Sequence, residues 1–90
     1  MMQNNALIIN ERDNVAIAIR SIEKDSLVVV DGNKLFLASQ DIAASHKVAL
    51  VTIKTGEIVI RYGEPIVKAI VDIKRGQWVH VHNTKPIQGA

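Results

Sequence analysis

The sequence predicts an all-β fold, a small barrel or sandwich of short strands. Three observations carry that expectation. Valine and isoleucine dominate a chain that is 48% hydrophobic but only 3% aromatic, and β-branched side chains favour the pleated surface of strands. Turn-forming residues recur about every eight to twelve positions, the spacing of many short strands. Asp31-Gly32 stands between the β-rich runs 27–30 and 35–37, the pattern of a tight hairpin whose turn needs positive φ. No repeat of fixed period stands out.

Each element follows from its local residues. Positions 6–10, Ala-Leu-Ile-Ile-Asn, form a first strand, and the polar stretch 11–14 breaks it. Positions 15–19 alternate β-branched residues with alanine, so a strand with one crowded face is expected, although alanine also permits a helix. The charged stretch 21–26 reads as a loop. Ser39 is placed to cap one short helical turn over 39–45. Strands are expected over 46–53, 58–62 and 66–73, with turns at 54–57 and 74–76. Pro65 withholds a ladder hydrogen bond and belongs at a strand start or edge. Positions 76–83 form the last strand, and 84–90, with Pro86 and Gly89, read as a tail or linker.

Composition narrows the function. Ninety residues suit one domain with a marginal core. There is no cysteine, hence no disulfide, thiolate zinc site or thiol nucleophile. Small secreted domains usually need such staples, so a cytoplasmic location is expected. Met1-Met2-Gln3-Asn4-Asn5 lacks the basic start and apolar run of a signal peptide, and no stretch is long enough to span a bilayer. The net charge is +2, too modest and too dispersed for a nucleic-acid module. Neither nucleic acid nor membrane is an expected partner, whereas a homo-oligomer is possible.

Chemistry concentrates near the end of the chain. On a strand over 76–83, His80 and His82 share a face with Trp78, roughly 7 Å apart, and Val79 and Val81 take the other. Two imidazoles make a weak metal site unless a third group joins them, and His46 is the natural third. These histidines serve equally as acid, base or substrate contact near neutral pH. Simpler roles stand beside these. His46 caps a turn, Lys47 is solvated, Tyr62 packs, Arg61 pairs with Glu64 on the surface, Trp78 packs or docks, and Asp13 and Asn14 only turn the chain.

The ordered set His46-Lys47-Val48-Ala49-Leu50, Arg61-Tyr62-Gly63-Glu64-Pro65-Ile66 and Gly76-Gln77-Trp78-Val79-His80-Val81-His82-Asn83 resembles the N-terminal domain of the altronate/galactarate dehydratase family. Asp13-Asn14-Val15-Ala16 resembles its first motif. The resemblance departs at Ser45 and Val67, where the family usually has glycine, and at Arg61, where it usually has lysine. It implies a β-clip fold of the SAF group over 1–83, with 84–90 leading to, or ending short of, a larger catalytic domain or subunit. It further implies elimination of water from a small sugar acid to give a 2-keto-3-deoxy acid, with Fe2+ or Mn2+ in the complete enzyme. The catalytic candidates are then His46, His80 and His82, the substrate-binding candidates Lys47, Arg61 and Tyr62, and the metal candidates His80 and His82. The small subunit of sulfolactate sulfo-lyase is an alternative of comparable elimination chemistry, and a non-catalytic docking or sugar-acid-binding module is a third. A chain this short does not enclose a polyhydroxy acid, and ligands of that kind sit at domain interfaces. The chain is therefore expected to be inactive alone.

Overall fold

The computed structural model describes residues 3–87, which form nine β-strands and, among the described residues, no helix. β1 (Ala6–Leu7), β2 (Val15–Ala18), β5 (Lys47–Ala49) and β8 (Trp78–Val79) make one antiparallel sheet in the order β1-β2-β5-β8. β3 (Leu27–Val30) and β4 (Asn33–Leu37) form a hairpin. β6 (Ile58–Arg61), β7 (Glu64–Ala69) and β9 (Thr84–Lys85) form a third sheet. The all-β, β-clip-like architecture expected from the sequence is present, built from small antiparallel sheets. Its interior divides in two. One cluster gathers Ala16, Val28, Val30 and Val48 with Ile22 and Ile42, and the other gathers Val15, Val59 and Val79 with Ile53 and Ile73.

The pairing reveals a repeat that the residue pattern conceals. In β3–β4, Val28, Val29 and Val30 face Phe36, Lys34 and Asn33, with a bulge after Val28. In β6–β7, Val59, Ile60 and Arg61 face Val67, Pro65 and Glu64, with a bulge after Val59. Every position is displaced by 31 residues, as from 30 to 61. The isolated bridge Ile22↔Ile42 likewise maps onto Ile53↔Ile73. The sheet follows the same step: Ala16↔Val48 of β2–β5 becomes Lys47↔Val79 of β5–β8. Left-handed backbone recurs at matching places, with Asp25 and Gly56, Asp31 and Tyr62, Gly32 and Gly63, and Ser45 and Gly76 all at positive φ. The repeat escapes the sequence because it conserves backbone conformation and small or branched core positions, such as Ala38 and Ala69, rather than residue identity.

Several expectations are corrected. No helical turn forms over 39–45, because Ile42 is buried and bridges Ile22 in an extended segment. The strand expected over 76–83 stops at Val79. Asn83 ends it, since its Oδ1 accepts from His80 N–H and its Nδ2 donates to Trp78 O. Val79 and Val81, expected to share a face, separate: Val79 is buried and Val81 is 77% exposed. The segment after 83 is not wholly a tail: Thr84 and Lys85 pair with Ala69 and Lys68, while 88–90 lie outside the described residues. Ser45 sits at φ 73, left-handed backbone that glycine adopts more readily.

Candidate functional site

The register of the repeat places the chemistry. Val15 pairs with Ala49 where β2 meets β5. One repeat further on, the corresponding positions are 46 and 80, and there the rings of His46 and His80 stack with centroids 4.6 Å apart. Trp78 stacks on His80 at 5.0 Å and lies tilted against His82 at 4.7 Å. The Trp78 indole and the His46 imidazole are joined at their edges, Nε1–H of the tryptophan donating to Nδ1 of the histidine at 3.0 Å. The three candidate histidines therefore meet around one tryptophan, but from the residue before β5, the residue after β8 and the turn that follows, not from one face of a long strand.

Lys47 and Arg61 join this group. Lys47 is half-buried beside β8. Burial first, and then the nearby Arg61 charge, lower its pKa. Burial, followed by the charges of His46, Lys47 and His82, likewise lowers the pKa of His80. An imidazole already mostly neutral at pH 7 is therefore held neutral more firmly. Arg61 is half-buried and pairs through its strand with Glu64. Its Nε is buried with no hydrogen-bond partner among the described residues, and its guanidinium carbon stands 5.0 Å from the Tyr62 ring centroid. Tyr62 itself is exposed and left-handed, φ 58. The result is a wall of hydrogen-bond donors and aromatic rings, suited to an anionic oxygen ligand.

A clamp fixes the tip that carries Arg61. Asp13 Oδ1 accepts from Gly63 N–H at 2.8 Å, and Arg12 donates to Gly63 O at 2.7 Å. The Asn14 side chain takes Ile60 N–H at 2.8 Å and gives to Ile58 O at 2.9 Å, replacing an edge partner. Burial works against the Asp13 carboxylate, but donation from the backbone of Gly63, Asn10, Tyr62 and Ile9 outweighs it, leaving the pKa lowered. Asp13 and Asn14 thus do more than turn the chain. The first hairpin has the same clamp, with Asn4 on Gly32 and Asn5 on Leu27 and Val29.

The described residues do not by themselves complete a metal site, and His80 and His82 would need a third ligand from elsewhere. Among the described residues, no three His, Cys, Asp or Glu side chains group to hold an ion. Imidazole lone pairs lie in the ring plane, so the stacked rings of His46 and His80, inclined by 28°, do not converge on one point. His46 Nδ1 is also occupied by the indole. Nor is the site enclosed. A cleft of about 370 Å³ reaches Trp78 from Ile22, Asp41 and Ile42, and one of about 720 Å³ runs from Leu50 to Arg75; neither includes a histidine. The sequence did not reveal the Trp78–His46 bond or the Gln40 side chain that accepts from Trp78 N–H at 2.9 Å. Partners so distant in sequence leave no local signal.

Fold and site together define a small β-clip module that presents a cationic, aromatic wall without closing a pocket. The chain belongs to the altronate/galactarate dehydratase SAF domain family, whose model matches residues 4–86. It is 44% identical over 77 residues to altronate dehydratase of Escherichia coli (strain K12), and 40% identical over 77 residues to that of Bacillus subtilis (strain 168). Each alignment covers 86% of this chain but 15% of the relative, so the chain spans a small part of those proteins. It is also 45% identical over 60 residues to the (2R)-sulfolactate sulfo-lyase subunit alpha of Paracoccus pantotrophus, covering 64% of this chain and 90% of that subunit. No helix among the described residues is long and apolar enough to cross a membrane.

Proposed function

We propose that this chain is the small domain or subunit of an altronate dehydratase-like lyase, acting on a sugar acid only together with a larger catalytic part. The observation that carries the reading is the cluster of Lys47, Arg61 and three histidines on a domain that matches 15% of two altronate dehydratases. Removal of water beside a carboxylate builds negative charge on the carboxylate oxygens as the α-proton leaves. Lys47 and Arg61 hold that charge, arginine through its planar fork. Partial burial of Lys47 and Arg61 strengthens these contacts relative to fully exposed charges. Tyr62 supplies a hydroxyl at the exposed rim, and neutral His80 is the proton acceptor on this wall. Because this chain's described residues do not by themselves complete a metal site, no step here passes through an ion.

The test combines this chain with the remaining part of a dehydratase and supplies altronate and galactarate. The expected result is a 2-keto-3-deoxy acid formed only when both parts are present. Turnover by this chain alone, or turnover by the larger part unaffected by this chain, sinks the reading. A second reading is the small subunit of a sulfolactate sulfo-lyase, favoured by coverage of 90% of that subunit's length. Release of sulfite from sulfolactate, with no product from either sugar acid, selects it.

A further inference from the structure

The edge-to-edge contact of Trp78 and His46 fixes a proton. An indole N–H donates and never accepts. His46 Nδ1, which receives it at 3.0 Å, is therefore bare, and the neutral imidazole carries its proton on Nε2. The indole is held on both sides of its own backbone: Trp78 N–H gives to Gln40 Oε1 at 2.9 Å, and Trp78 O takes Asn83 Nδ2–H at 2.7 Å. His80 lies across both rings, 5.0 Å from Trp78 and inclined by 13°, 4.6 Å from His46 and inclined by 28°.

We infer that Trp78 is a positioning residue that locks His46 in the Nε2–H tautomer, so that His46 donates a hydrogen bond to an oxygen of the bound anion and is neither base nor metal ligand. The anion as ligand rests on the function proposed above; the tautomer rests on the geometry alone. Either alternative role needs a bare Nε2, which moves the ring proton to Nδ1. Two N–H groups would then face each other across the Trp78–His46 contact, with no acceptor between them. A fixed donor also suits the neighbourhood. Lys47 is next in the chain, Arg61 perturbs it, and both offer donors only.

The repeat explains why tryptophan occupies this place. Position 78 corresponds to Lys47 of β5 and Ala16 of β2, as Val48↔Trp78 corresponds to Ile17↔Lys47. Neither lysine nor alanine carries a rigid ring whose edge can reach a cross-strand histidine. The first repeat, with Val15 at the position of His46, has nothing to lock.

Nitrogen-15 NMR of the histidine rings in the full chain, at a pH where they are neutral, reads the tautomer directly. His46 is expected to show an unprotonated Nδ1 and a protonated Nε2 in the unaltered protein. Trp78→Phe, which keeps a ring and deletes the N–H, should shift His46 toward a tautomer mixture. In the assembled enzyme, His46→Gln retains an N–H donor and should keep about tenfold more activity than His46→Ala, the scale of one retained hydrogen bond. A protonated Nδ1 in the unaltered chain overturns the lock whether or not Trp78→Phe folds. Equal loss in His46→Gln and His46→Ala overturns the donor role. If the assembled enzyme turns over no sugar acid while His46 is protonated on Nε2, the dehydratase reading fails and the lock stands.

Discussion

The two hairpins of this molecule share one backbone and differ in what they carry. β3–β4 and β6–β7 have the same register, the same bulge and the same pair of left-handed residues at the tip. In the first, Val30 precedes the tip and lies in the apolar cluster with Ala16 and Val48. In the second, Arg61 takes that place and Lys47 takes the place of Ala16. His46 and His80 stand where Val15 and Ala49 pair. The difference shows that the site needed no new fold. Apolar positions of one repeat correspond to cationic or aromatic residues in the next, and burial there lowers the pKa of Lys47. The first hairpin keeps an apolar residue before its tip, and the second places a charged residue there, near Lys47.

Exchanging residues between the halves gives the largest expected effects. Val30→Arg puts a charge without an anionic partner among apolar side chains, and should cost about 3–5 kcal/mol or prevent folding, read by thermal or denaturant melts. Arg61→Val restores the apolar residue of the first hairpin. It should melt at or above the temperature of the unaltered chain and bind anion poorly. Equal losses of stability in the two variants would break the comparison.

The clamps give the next effects. Asn5→Ala and Asn14→Ala each leave a strand carbonyl and a strand N–H without their partner. Each should cost about 1–3 kcal/mol, similar in the two halves by urea titration. Only Asn14→Ala should also weaken anion binding, because only its hairpin ends in Arg61. Glycine at the tips refines this further. Gly32→Ala meets no atom within 4 Å, whereas a Cβ on Gly63 comes 2.8 Å from Asn10 Nδ2. Both face a left-handed penalty of about 1–2 kcal/mol, so the excess loss in Gly63→Ala measures the rigidity of the 10–14 loop.

The pH effect is the smallest. His80 has a folded pKa below its unfolded value of about 6.5. Below that value the unfolded chain binds more protons, so stability falls as pH drops through 6.5 toward the folded pKa. His80→Asn should flatten this part of the stability–pH curve. The carboxylates of Asp13 and Asp72 act at lower pH. The pKa of Asp72 is lowered chiefly by the Thr55 backbone and hydroxyl. The contribution of each is present above its unfolded pKa and lost as pH falls through the folded value.

Much of this was legible in the residues, in proportion to how local the cause is. Asp31-Gly32 announced its hairpin because the turn is contained in the dipeptide. His46, Lys47, Arg61, His80 and His82 were named from motif order, and the fold brings them together. The period-two reading of 76–83 failed at one residue: Asn83 returns its side chain to Trp78 and His80 and converts the strand to a turn. The short helix expected after Ser39 failed because Ile42 pairs with Ile22, a contact that no local window contains. The 31-residue repeat was hidden for a related reason. Positive φ is shared by Tyr62 and Asp31 and by Ser45 and Gly76, and residue identity alone does not report it.

Calorimetric titration of the assembled enzyme with a sugar acid, comparing the unaltered chain with Arg61→Val, tests the account most directly. The account predicts an affinity at least about tenfold weaker, the scale of losing a hydrogen bond from a charged group, with the melting temperature unchanged or raised. Unchanged affinity in a well-folded Arg61→Val variant would contradict it.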